Sequence, residues 1–217
     1  MTKIKKIIYG ILAVVPLIGT VFSLFFLPDS VPMHFDINHQ VDRWGSKYEM
    51  LILSIIVLIL GAVFIFVGKS LAKNEEHGNN NYNIFSTVSI AILAIFNVIN
   101  IGLIYIALKG IENLSTGDID FLRILVFMFG LLFIIIGNIV PKAKMNSILG
   151  LRTKWSMSSE EAWRKSQRFG GYSSIVVGIL TIIESLIFSD TTTIFVMLGL
   201  IFVMAIADTV YSYFASK

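Results

Sequence analysis

Six long apolar runs leave this chain one environment. They cover about Ile7–Leu27, Met50–Val67, Ile84–Leu108, Phe121–Val140, Tyr172–Phe188 and Thr192–Phe214. A bilayer core takes about 20 apolar residues per helix. Backbone groups in lipid must find partners within their own segment, and none of the runs alternates at period two, so they read as helices rather than barrel strands. Composition agrees: hydrophobic residues make up 56% of the 217 residues and charged residues only 14%. A soluble domain needs more polar surface than that. The expected fold class is therefore all-α, a polytopic membrane protein of about six transmembrane helices.

The first run follows Lys3, Lys5 and Lys6, as a signal peptide would. It is too long for that role and no small-residue cleavage site follows, so it reads as a retained helix. Cysteine is absent, which excludes disulfides, thiolate metal sites and cysteine nucleophiles. Lys and Arg set the orientation. With the N-terminus inside, the cytoplasmic segments hold 13 basic residues and the outer loops 4. Both termini are expected inside. Three units follow: a two-helix unit over 1–70 with an outer loop at 28–48, a connecting loop and third helix over 71–120, and a C-terminal unit over 121–217 with an inner loop at 141–171.

The two loops carry most of the polar information. In the outer one, Pro28 and Pro32 end helical character, and Val31 to Phe35 suits a short extended segment. Trp44, between Arg43 and Lys47, suits the membrane interface. His34, Asp36, His39 and Asp42 are residue types that hold zinc, but their spacing matches no ligand pattern. An ordered cap, with these groups bonding the loop backbone, and direct contact with an extracellular ligand are the other two readings. No cofactor is expected.

The inner loop holds seven of the 17 basic residues. Ser158-Ser159-Glu160-Glu161 has the form of a capping box with Ser158 at the N-cap. It predicts a short amphipathic interfacial helix over 159–169, with Ala162, Trp163, Ser166 and Phe169 on one face. Gly170-Gly171 would then release the chain into the fifth span. Such a basic loop determines topology, attracts anionic lipid or docks a cytoplasmic partner. Direct nucleic-acid binding is not expected, because lipid headgroups compete for the same charges.

Polar residues inside the spans are expensive. Asn97 and Asn100 share a face of the third span, and Asn138 lies near the inner end of the fourth. Interhelical hydrogen bonds are their simplest role. Glu184 falls near the outer end of the fifth span and Asp208 near the inner end of the sixth. Opposite depths argue against a two-carboxylate protease. Asp208 is expected to pair with a base from the inner loop. Ser174 and Gly178 form a small-xxx-small pair suited to close packing. No phosphate loop, zinc-helix motif or serine elbow is present, so the chain is not expected to be an enzyme.

The inner stretch resembles the signature of the SdpI family of bacterial membrane immunity proteins. The resemblance runs through Gly137-Asn138, Pro141-Lys142, Lys144, Asn146, Gly150-Leu151-Arg152-Thr153, Trp155, Ser158-Ser159-Glu160-Glu161, Trp163-Arg164-Lys165 and Gly170-Gly171. The outer stretch is similar to a domain of unknown function often fused in front of that family. It matches at Leu27-Pro28-Asp29, Val31-Pro32, His34-Phe35, Asp42 and Trp44-Gly45-Ser46-Lys47. The chain departs from the family at Lys154, where proline is usual, and at Ser166-Gln167, where Thr-His is common. It also lacks the glycine usual before the outer aspartate.

The resemblance implies a multi-pass protein of the bacterial cell membrane that protects against a secreted membrane-active peptide toxin. It also implies recruitment of a cytoplasmic repressor. Asp29, His34, Phe35, Asp42, Trp44 and Lys47 would then face the toxin. Arg152, Thr153, Trp155, Glu161, Trp163, Arg164, Lys165 and Arg168 would face the inner partner. The alternative is a small-solute or peptide transporter built on the polar residues of the later spans. Against it, no pair of broken helices marks a midplane site.

Overall fold

The computed structural model describes residues 2–74, 76–114, 120–188 and 190–217. Among the described residues, six helices are long and apolar enough to cross a membrane. They are α1 (Lys3–Ser23), α2 (Met50–Asn74), α3 (Gly78–Lys109), α4 (Phe121–Ile139), α5 (Glu160–Ile187) and α6 (Asp190–Ala215). A two-stranded antiparallel hairpin, β1 (Ser30–Phe35) and β2 (Val41–Ser46), joins α1 to α2. The chain is therefore a polytopic helical membrane protein. The hairpin end is called outer and the basic-loop end inner, following the charge count.

Helix ends depart from the apolar runs where polar side chains find partners. Thr2 caps α1, its hydroxyl accepting from the Lys5 amide at 3.3 Å. α3 begins well before Ile84, in a run of asparagines. These are helical because the inner loop satisfies them. Asn81 is fully buried, donates to the Lys144 carbonyl at 3.3 Å and accepts from the Lys144 amide at 3.0 Å. Asn80 donates to the Lys142 carbonyl at 3.1 Å. α3 packs along α1 and α2 and also reaches α4.

Polar bonds stitch the N-terminal helices together. Tyr9 donates to the Gly61 carbonyl of α2 at 2.7 Å. Asn97 donates to the Leu12 carbonyl of α1 at 2.8 Å, and Asn100 meets Thr20 of α1 at 3.1 Å. Without water nearby, each unmade bond would leave a buried polar group stranded.

In the C-terminal half, α4 and α5 approach until backbone meets backbone. A Cβ on Gly178 would lie 2.6 Å from the Gly130 carbonyl oxygen, and one on Gly137 would lie 2.5 Å from that of Gly171. Gly130 and Gly137 are two turns apart on α4, as Gly171 and Gly178 are on α5, so two glycine pairs set the spacing of this antiparallel contact. Ser174, between them, is buried and bonds its own helix at the Gly170 carbonyl.

The expected short helix at 159–169 is not a separate element. Its residues form the first three turns of α5, which passes through Gly170-Gly171 unbroken. Gly171 is there for contact rather than flexibility: a Cβ on it would run into Pro141 Cγ. The cap also moves by one residue. Ser159, not Ser158, accepts from the Ala162 amide at 3.1 Å, and Ser158 donates to the Trp155 carbonyl. Glu161 therefore leaves the capping role and pairs with Lys165 at 2.9 Å.

Candidate functional site: an outer hairpin and an inner basic loop

The outer hairpin is anchored on one side and open on the other. Val31 is fully buried with Leu27, Met50 and Ala107. At the base, Lys47 pairs with Asp29 at 2.9 Å. Ser46 and Glu49 form a reciprocal capping box, and Arg43 bonds the second Glu49 oxygen at 2.9 Å. The turn is built on Asp36, whose Oδ1 accepts from the amides of Asn38 and Gln40 at 2.8 and 2.9 Å. Beyond it His39 takes a left-handed φ of 64° and is buried. Its carbonyl accepts from the Leu114 amide, and its Nε2 meets Thr191 Oγ1 of α6 at 3.2 Å. Gln40 bridges to Asn113, and the Val41 amide donates to the Glu112 carbonyl. The hairpin therefore ties the end of α3 to the start of α6.

The four candidate metal ligands are drawn to different partners. His34 Nδ1 meets Asp42 Oδ1 across the strands at 2.6 Å, Asp36 holds the turn and His39 meets Thr191. Of the residues expected to face a ligand, Asp29 and Lys47 form the clasp. Phe35 is partly buried. His34, Asp42 and Trp44 stand exposed on the open side.

The Gln40 amide, and after it Asn38, hold the Asp36 carboxyl below the usual aspartate range. A lowered folded-state pKa stabilises above the ordinary value near 3.9, and that stabilisation is lost as pH falls through the folded-state pKa. Asp36→Ala is expected to remove this acid dependence. Protection of the Gln40 amide, taken relative to its free-peptide exchange rate at each pH, should fall in acid in the parent and be uniformly low in the variant. Unchanged protection in both would refute the role.

The inner loop is folded onto the bundle. Asn146 is buried, its Oδ1 accepting from the amides of Ile148 and Leu149. Gln167 pairs with the Leu151 backbone in both directions, each bond 2.9 Å. That gives a local role to a residue where the chain departs from the family pattern. Thr153 bonds Ser212 of α6 at 2.8 Å, and Trp155 stacks edge-on against Tyr213. Trp163 is 3% exposed and its indole N–H donates to the Ala143 carbonyl at 2.9 Å. Thr153, Trp155 and Trp163 therefore contribute to the loop's own packing, Trp163 buried and the other two half-buried. Arg152, Glu161, Arg164, Lys165 and Arg168 remain exposed.

The buried carboxyls are distributed along the bundle. Asp208 accepts from Ser173 at 2.7 Å, and among the described residues no base pairs with it, contrary to expectation. Glu184 lies roughly 16 Å further along α5 than Ser173. It is 5% exposed, and neither carboxyl oxygen has a hydrogen-bond partner among the described residues. Thr181, on the same helix face, is buried and likewise unpartnered. Asn138 is exposed and bonds only its own helix, at the Ile134 carbonyl.

An ordered hairpin on one side, a clasped basic loop on the other and six spanning helices between them define a multi-pass membrane protein with a folded loop at each end. Residues 142–212 match the SdpI/YfhL protein family, and residues 11–60 match a domain of unknown function, DUF1648. The DUF1648 match thus lies in front of the SdpI/YfhL match, the order in which the two loops carry their resemblances. Immunity protein SdpI of Bacillus subtilis (strain 168) is 24% identical over 211 residues, covering 96% of this chain and 94% of that protein. No solved structure matches significantly.

Proposed function

We propose that this chain is a non-catalytic immunity and signalling protein of the bacterial cell membrane, protecting its host against a secreted membrane-active peptide toxin. The observation that carries the reading is similarity to an immunity protein along 96% of the chain, both loops included. The hairpin supplies a rigid outer surface, with His34, Asp42 and Trp44 presented from a braced base. An exposed indole beside charged groups suits an amphipathic peptide at the interface. On the inner side, Arg152, Glu161 and Lys165 form the surface offered to a cytoplasmic repressor.

The test is survival of a toxin-sensitive strain expressing the chain. Trp44→Ala is expected to cut protection at least tenfold while leaving membrane abundance unchanged, because Trp44 is 46% exposed. Arg152→Ala should spare protection and abolish toxin-dependent movement of the repressor to the membrane. Absence of protection from any peptide toxin, together with proton-driven solute flux in vesicles, would favour a transporter instead.

A further inference from the structure

The inner ends of α4 and α5 leave a groove of about 400 Å³ that the immunity reading does not use. Lys142, Arg164 and Arg168 converge on it, with Asn138, Tyr172 and Ile175 along its floor and side. Lys142 and Arg164 have no ion pair among the described residues, and Arg168 bonds only the neutral Tyr172 hydroxyl, at 3.4 Å. Three cations thus share one concavity with no carboxylate among its lining residues. By contrast, the neighbouring Lys165 is neutralised by Glu161.

Depth decides what such a groove meets. α4 is 19 residues long and Lys142 lies just past its end. A hydrocarbon core of about 30 Å takes up about 20 helical residues. Counted inward from Ile187, that length of α5 ends near Arg168. The three cations therefore stand at headgroup level and Ile175 lies within the apolar layer. Arg164, Arg168, Tyr172, Ile175 and Ile179 recur at helical spacing along one stripe of α5. Ile179 and, on α4, Ile135 are exposed, so the stripe passes from cationic to apolar in the direction a lipid does. The polar Asn138 side chain lies between the two zones, at glycerol depth.

We propose that this groove is a binding site for an anionic phospholipid, its phosphate held by Lys142, Arg164 and Arg168 and its acyl chains laid along the α4–α5 seam. Basic pockets between helices at a membrane face bind such headgroups, and guanidinium groups suit phosphate oxygens in paired geometry. A soluble phosphate compound would satisfy the cations but would leave the apolar half of the groove unused. The site is independent of toxin recognition, and its failure would leave the protection assay untouched.

The full-length chain in neutral detergent is titrated with equal amounts of dioleoyl phosphatidylglycerol and dioleoyl phosphatidylcholine, and retained lipid is counted by native mass spectrometry. Phosphatidylglycerol is expected to be retained at least fivefold over phosphatidylcholine. Lys142→Ala, Arg164→Ala and Arg168→Ala should each lower its retention about fivefold. Arg164→Lys should keep more of it than Arg164→Ala does, which separates charge from misfolding, and Lys165→Ala should change nothing. Glycerol phosphate at millimolar concentration should not displace the lipid. Equal retention of the two lipids would overturn the site. So would an equal loss with Lys165→Ala, because attraction would then be spread over the loop, or displacement by glycerol phosphate, which would make it a soluble-anion site.

Discussion

Replacing Gly178 with leucine is expected to detach α5 from α4 and cost at least about 3 kcal/mol. Overpacking usually costs about 1–3 kcal/mol because neighbouring side chains shift. Here much of the obstruction is backbone: a Cβ on Gly178 would lie 2.6 Å from the Gly130 carbonyl oxygen and 2.9 Å from the Ile134 amide nitrogen. Helices cannot separate locally, so the whole contact must open, including the Gly137–Gly171 pair. Gly199→Leu on α6 is the control, because a Cβ there meets nothing within 4 Å. That variant should be neutral or slightly stabilised, since glycine is a poor helix former. The measurement is the unfolding midpoint in mixed micelles of increasing denaturing-detergent fraction. Equal midpoints for the two variants would show that close approach does not set the stability of this unit.

Trp163→Ala is expected to release the inner loop, at a cost of about 3–5 kcal/mol for a buried aromatic truncated to a methyl. The indole is the peg on which the loop hangs, buried itself while its N–H satisfies the Ala143 carbonyl. Limited proteolysis should cut the variant within 142–157 at protease levels that leave the parent intact. Trp163→Phe separates the two contributions. It keeps most of the apolar contact but strands the carbonyl, so about 1–3 kcal/mol should be lost. If Trp163→Ala left the loop protected and instead abolished only repressor recruitment, the indole would be a contact residue after all.

The helices were legible because lipid imposes one requirement over a long stretch, and apolar length alone reports it. β1 was legible through Val31 and its aromatic end. β2 was not: Asp42-Arg43-Trp44-Gly45 has no alternation, and the strand exists because β1, the Asp36 turn and the capped Ser46 hold it in register. Gly170-Gly171 signals a break when read locally. Only Pro141 and Gly137, far away in sequence, show that Gly171 serves contact. The packing role of Trp163 was not legible because its partner is a main-chain carbonyl, and a backbone acceptor leaves no mark in the residue pattern. Asp208 found Ser173 on its neighbouring helix, a hydroxyl that sequence charge counting ignores.

The unbroken course of α5 makes it a shaft about 42 Å long. Its outer end reaches the level of Phe188, whose carbonyl accepts from Arg123, and its inner end carries Glu161, Arg164 and Lys165. A flexible joint at the paired glycines would have absorbed any tilt within the membrane. Without one, a tilt of about five degrees pivoting at the outer end would sweep the inner charges sideways by roughly 4 Å over that length. An event at the outer end would then reach the inner end as a displacement of charge, with no rearrangement of the helix itself.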